Sequence, residues 1–174
     1  MDYREEMTKA MTMLGQHPDT IFLGQSVFYK GTAMFGTLKD VPDSKKIEMP
    51  VAEEMQLGIG TGLALQGFIP ISLYPRMDFL ILAMNQLVNH LDKIELLSEG
   101  RFRPKVIIRT SVGGKKQLDP GLQHRGNYVE PLKLTLKTVT VITLDKAEAI
   151  MPAYESALKS GKSSILVEFG DLYD

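Results

Sequence analysis

Met7, Ala10, Met11 and Leu14 recur at three- and four-residue steps, which predicts an amphipathic helix over 3–15 with Gly15 as its stop. A short β-prone run, TIFLG at 20–24, predicts a buried strand. Residues 25–46 carry Gly31, Gly36, Pro42 and Asp43 and read as loop. A helix is expected over about 52–67 and a strand over 70–74 (PISLY). The clearest helical pattern covers 76–99. Leu80, Ala83, Met84, Leu87, Val88, Leu91 and Ile94 form its apolar face, and Gly100 fits the position after its end. Further strands are expected at 104–109 (PKVIIR), 138–144 (TVTVITL) and 164–169 (SILVEF), with a helix over 146–159. The polar stretch 111–127 holds four glycines and Pro120, and a connection of that length points to function.

Apolar strands alternate with helices. That order predicts an α/β fold: a mostly parallel sheet with helices on both faces. Sites in such sheets form outside the carboxyl ends of the strands, so the loops after Leu23, Tyr74 and Arg109 are the places to search.

Composition narrows the chemistry. The 174 residues suit one domain, and 24% charged residues with a net charge of -1 give no signal for nucleic acid or an anionic membrane. There is no cysteine, which excludes disulfides and thiolate metal sites. The opening MDYREEMTKAM lacks the order of a signal peptide, and no apolar run could span a bilayer. The cytoplasm is the expected location.

The stretch MPVAEEMQLGIGTGLALQG, at 49–67, poses the central question. Its glycines are spaced G-x-G-x-G, not G-x-G-x-x-G, no convincing strand precedes them, and no Gly-Lys-Ser/Thr follows. A phosphate cradle is therefore disfavoured. A helix suits Met55, Ile59 and Leu63 at four-residue steps. Glycine inside a helix costs about 1 kcal/mol relative to alanine, so Gly58, Gly60 and Gly62 suggest close approach of another backbone. Glu53 then stands in the first turn. It either complements the helix N-terminus or points into a cleft.

The order Met-Pro-Val-Ala-Glu-Glu…Gly-x-Gly-x-Gly…Gly-Phe-Ile-Pro-Ile resembles the pyrimidine-binding domain of thiamine diphosphate-dependent enzymes. The match is to the beta subunit of the first component of 2-oxo acid dehydrogenases and, more distantly, to transketolases. It continues through MDFLILAMNQLVNHLDKIELLSEG, PKVIIRTSVGG, LQHRG and ILVEFGDLYD, and so covers nearly the whole chain.

The resemblance implies a single pyrimidine-binding domain over 1–174, with the diphosphate-binding domain and the C-terminal transketolase domain absent. Thiamine diphosphate would be shared with a diphosphate-binding, alpha-type partner that also holds Mg2+, in a hetero-oligomer such as a heterotetramer. The substrate would be a 2-oxo acid or ketose, from which an acyl or two-carbon unit is cleaved and transferred. No residue here matches a metal ligand: Gly170-Asp171-Leu172 is not the Gly-Asp-Gly…Asn of the metal-holding half. By position, Glu53 matches the glutamate that hydrogen-bonds the pyrimidine nitrogen remote from the amino group. Phe79 matches an aromatic packed on that ring, and Pro75 stands where an apolar residue contacts the cofactor. His124 matches a histidine facing the substrate. Arg109 either begins the family's loop or makes a structural ion pair. Three departures stand out: Gln25 where an acid is usual, Pro75 for methionine or another apolar residue, and Arg125-Gly126 after the histidine. They motivate an alternative, a non-catalytic assembly or regulatory subunit that retains the interface.

Overall fold

A computed structural model describes residues 1–116 and 119–173. Six strands form one sheet in the order β2-β1-β3-β4-β6-β5, and every neighbouring pair is parallel. The strands are β1 (Thr20–Gly24), β2 (Lys46–Glu48), β3 (Ile69–Tyr74), β4 (Ile107–Val112), β5 (Thr140–Thr143) and β6 (Ser164–Phe169). The helices are α1 (Tyr3–Gln16), α2 (Ala33–Gly36), α3 (Glu53–Leu65), α4 (Met77–Leu80), α5 (Ile94–Leu97), α6 (Val129–Thr135) and α7 (Ala147–Lys159).

Alternation along the strands gives the sheet two apolar faces, each with its own core. Phe22, Ile71, Leu73, Ile107 and Leu166 pack against Met7, Met11 and Leu14 of α1 and Ile150 and Tyr154 of α7. Tyr74, Ile108, Ile165 and Val167 pack on the other side, against Leu57 of α3, Leu80 of α4 and Leu132 of α6. The expected α/β architecture with helices on both faces is what the chain forms.

Four local differences have physical causes. First, β2 lies within and just beyond the stretch read as loop; three residues at a sheet edge are too short to show periodicity. Second, the strand expected at 104–109 begins three residues later. The Val106 N–H bonds to Ser163 Oγ (3.0 Å), and that hydroxyl bonds to the Pro104 carbonyl (2.9 Å), so side-chain bonds replace the ladder there.

Third, the long helix expected over 76–99 is a composite. α4 leads into a 3₁₀ turn (Ile81–Ala83), then a π turn (Gln86–Leu91), then α5. The widened turn, closed by Asp92 N–H to Leu87 C=O (2.9 Å), lets Leu91 and Asp92 both face inward. The Asp92 carboxylate there accepts the N–H groups of Lys137, Thr138 and Val139. Fourth, α6 is too short, and too interrupted by Pro131, to be read from periodicity.

Candidate functional site

β1 runs on to β2 at one edge, whereas β3 runs on to β4 on its other side. The carboxyl ends of β1 and β3 therefore flank a switch point in the sheet, the usual position for a site in this architecture. The chain turns sharply after β1. Gly24 has φ 148°, and a Cβ on it would stand 2.3 Å from the Leu73 carbonyl oxygen. Only glycine lets β1 and β3 come this close at their ends.

Glu53 opens α3 beside this point and is 5% exposed. Its side chain does not cap its own helix. Instead Oε1 accepts the Gln25 side-chain amide at 3.0 Å, from the loop after β1. The Tyr74 hydroxyl, at the end of β3, donates to the Glu53 backbone carbonyl at 3.2 Å. Burial pushes that hydroxyl well above the usual tyrosine range, so it stays protonated as a donor. Two neighbouring strand ends thus fix the first residue of α3. Glu53 Oε2 has no hydrogen-bond partner among the described residues. The carboxylate lines an open cleft of about 720 Å³ with Ala52, Met55, Gly58, Ile59, Leu82 and Gln86.

Gly58, Gly60 and Gly62 lie inside α3, which agrees with the helical reading and disfavours a phosphate loop. Their packing differs from expectation. A Cβ on Gly60 would meet Leu23, Pro70 and Val106 at ordinary distances of 3.9–4.0 Å. One on Gly58 would meet only the Gln86 side chain at 3.7 Å, and one on Gly62 would meet nothing. No contact among the described residues demands glycine at these three positions. Gly58 and Gly62, with the exposed Met55 and Ile59, instead leave the outer side of α3 low and apolar.

Phe79 and His124 come together, with ring centroids 5.5 Å apart and planes inclined by 58°. The loop after β4 makes this possible. A Cβ on Gly113 would lie 2.0 Å from the His124 carbonyl oxygen, so glycine lets the chain fold back on itself there. His124 Nδ1 is buried without a hydrogen-bond partner. Pro75 sits elsewhere: it lines a separate cavity of about 190 Å³ with Thr32, Arg76, Ser111 and Glu168, and its carbonyl accepts the Ser111 hydroxyl at 2.7 Å. The structure thus joins Phe79 to His124 and places Glu53 and Pro75 on two different cavities. Arg125 pairs with Asp119 at 3.5 Å. Arg109 is a structural residue, buried and paired with Glu168. His17 closes α1, and His90 is exposed. Sequence reasoning missed the direct bond from Gln25 to Glu53; an amide where an acid is usual was the available signal.

Comparison with known proteins accords with this architecture. No family model matches the chain. It is 32% identical over 149 residues to the pyruvate dehydrogenase E1 component subunit beta-3, chloroplastic, of Oryza sativa subsp. japonica, covering 83% of this chain and 35% of that protein. It is 31% identical over 165 residues to the pyruvate dehydrogenase E1 component subunit beta of Cyanidium caldarium, covering 92% of this chain and 49% of the relative. The chain is therefore similar, over most of its own length, to beta subunits of the pyruvate dehydrogenase E1 component. It spans about a third to a half of the length of these curated relatives. A solved structure described as a split gene transketolase, inactive beta4 tetramer, superposes with a TM-score of 0.73 at 20% identity, covering 96% of this chain and 51% of that one. At that identity the likeness is one of fold.

Glu53 thus has one carboxylate oxygen held by Gln25 and the other without a hydrogen-bond partner among the described residues, beside an open cleft. Among the described residues no cluster of three or more histidine, aspartate or glutamate side chains could hold a metal ion, and no helix is long and apolar enough to cross a membrane.

Proposed function

We propose that this chain is the pyrimidine-binding subunit of a split thiamine diphosphate-dependent enzyme. It would act on a 2-oxo acid or a ketose, and only in assembly with a diphosphate-binding partner. The single observation that carries this is the state of Glu53. It is a buried carboxylate at the sheet's switch point, held through Oε1 and open through Oε2.

The bound cofactor supplies the carbanion chemistry at the substrate carbonyl. This chain's residues orient and protonate. Glu53 Oε2 would hydrogen-bond the ring nitrogen remote from the amino group and would hold or release a proton there. Phe79 would pack against the ring, and His124, beside Phe79, would exchange a proton with the substrate. The Mg2+ and the diphosphate fall to the partner, which would carry Gly-Asp-Gly…Asn. The cleft at Glu53 is open on this chain, which supports completion of the site by another subunit, for example in a heterotetramer. The domain is read as one pyrimidine-binding unit over 1–174.

The test is turnover of the assembled complex with thiamine diphosphate and Mg2+. Glu53→Gln is expected to reduce it by at least about a hundredfold. Unchanged turnover would overturn the assignment. A second reading, a non-catalytic assembly subunit, is favoured by Arg125, which stands next to His124 with its Nε buried without a hydrogen-bond partner and its Nη1 held only by the 3.5 Å ion pair to Asp119. It predicts that the partner assembles with this chain and that no 2-oxo acid or ketose is turned over.

A further inference from the structure

The turn after β1 is built around a carboxylate that no part of the proposed chemistry uses. Glu48, at the end of β2, accepts three successive backbone N–H groups: Ser26 at 2.9 Å, Val27 at 2.8 Å and Phe28 at 2.6 Å. Ser26 is held at φ 65°, a left-handed conformation that a serine adopts only when its surroundings impose it. Gly24, at φ 148°, precedes it. Between these two constrained residues lies Gln25, whose amide points at Glu53 Oε1.

We propose that Gln25 is the positioning residue for Glu53, and that Glu48 holds the turn that aims it. The inference rests on the reading of Glu53 as the pyrimidine's acid partner. An amide nitrogen can only donate, so it selects Oε1 as acceptor and leaves Oε2 as the free oxygen. The donor is neutral and has no proton to share. An acid at the same position would put two carboxyl groups at 3.0 Å, where both cannot ionise together. Gln25 therefore keeps the proton count at this site to one carboxyl group.

The other groups around Glu53 do not take over this role. Glu54, next on α3, binds the Asn85 amide at 2.7 Å. Glu48 on β2 is occupied by its three N–H groups. Tyr74 on β3 bonds the Glu53 backbone, not its carboxylate. The composite helix faces the cleft with Leu82 and Gln86. Among the described residues no lysine, arginine or histidine forms an ion pair with Glu53.

The test needs no cofactor. Melting temperatures of the purified chain are measured from pH 5 to pH 8 for wild type, Gln25→Glu, and Gln25→Glu with Glu53→Gln. The two facing carboxyl groups of the single variant are expected to raise one folded-state pKa above its unfolded value. Its penalty is then full at pH 8, about 5 °C, and is lost as pH falls and the pair takes up a proton. The double variant restores one amide and one acid in reversed order, so its melting curve should return to within about 2 °C of wild type with no added pH dependence. If Gln25→Glu does not fold, recovery of folding by the double variant is the supporting result. A deficit that does not change with pH, or a double variant no better than the single one, overturns the proposal. In the assembled enzyme, the acid limb of kcat/KM for Gln25→Glu should move up by about one pH unit, which an isosteric change of merely structural effect would not produce. An inactive assembly, or unchanged turnover in Glu53→Gln, would remove the function assigned to Glu53 and leave the melting result readable.

Discussion

Arg109 on β4 and Glu168 on β6 are paired across adjacent strands, both with fully buried side chains. The guanidinium also donates to Thr37 Oγ1 at 2.8 Å and to the Tyr173 hydroxyl at 3.1 Å, and that hydroxyl donates in turn to Glu168. Burial works most strongly against the charge on Arg109, but the Glu168 carboxylate and the surrounding tyrosines together outweigh it, so the guanidinium stays charged. Every polar group of this cluster faces the α1 and α7 side of the sheet, among apolar neighbours. Removing one partner leaves the other ionised without compensation. Glu168→Gln or Arg109→Met should each destabilise by about 3–5 kcal/mol in urea titrations. Arg109→Met with Glu168→Leu should lose less than the sum of the single changes.

Asp92 offers a prediction in pH. Burial pulls its carboxyl upward, but the N–H groups of Val139, Thr138 and Lys137 outweigh burial and hold it below the usual carboxylate range. A depressed folded-state pKa gives stability that is present above the unfolded value, near 4, and is lost as pH falls through the folded one. Wild type should therefore lose melting temperature more steeply below pH 4 than Asp92→Asn. At pH 7, Asp92→Asn should be less stable by about 2 kcal/mol, because an amide cannot accept three backbone donors as a carboxylate does.

Two glycines should respond in opposite directions to the same change. Gly24→Ala places a methyl group 2.3 Å from the Leu73 carbonyl, on a backbone with positive φ, and should cost about 3 kcal/mol or prevent folding. Gly62→Ala meets nothing inside the chain and should stabilise it by about 0.5–1 kcal/mol through helix propensity. If α3 is a subunit contact, Gly62→Ala should also weaken assembly, measured by sedimentation against the partner.

His124 should separate stability from activity. Its buried Nδ1 has no partner, so an apolar replacement removes an unsatisfied group. His124→Phe is expected to melt at or slightly above the wild-type temperature. Its kcat in the assembled enzyme should nevertheless fall by about 10²–10³.

The sheet was readable in the sequence because five of its strands are apolar runs bounded by turn residues. β2 was not, because Lys46-Ile47-Glu48 is an edge strand defined only by its partner β1. The composite helix kept the predicted buried positions Leu80, Ala83, Leu87 and Leu91 and lost the regular turn. The cause was Asp92, whose partners lie some 45 residues on. Glu53 and His124 could be named from their motifs. The bond from Gln25 to Glu53 could not, since it depends on a left-handed Ser26 and on a carboxylate from β2. Local pattern carries no information about a turn imposed from a distant strand.

The place of β6 has a consequence for synthesis. Among the described residues it is the last strand in sequence, yet it lies between β4 and β5 and is the only strand that β5 pairs with. Even the nearest strand partners, such as Phe22 with Lys46 and Thr140 with Ser164, are 24 residues apart, so no local hairpin can hold the sheet together early. A nascent chain that stops short of Ser164 has β5 without a ladder and Arg109 without Glu168 or Tyr173. Completion of the sheet and neutralisation of its buried charge are thus one event, which waits for residues 164–173 to leave the ribosome.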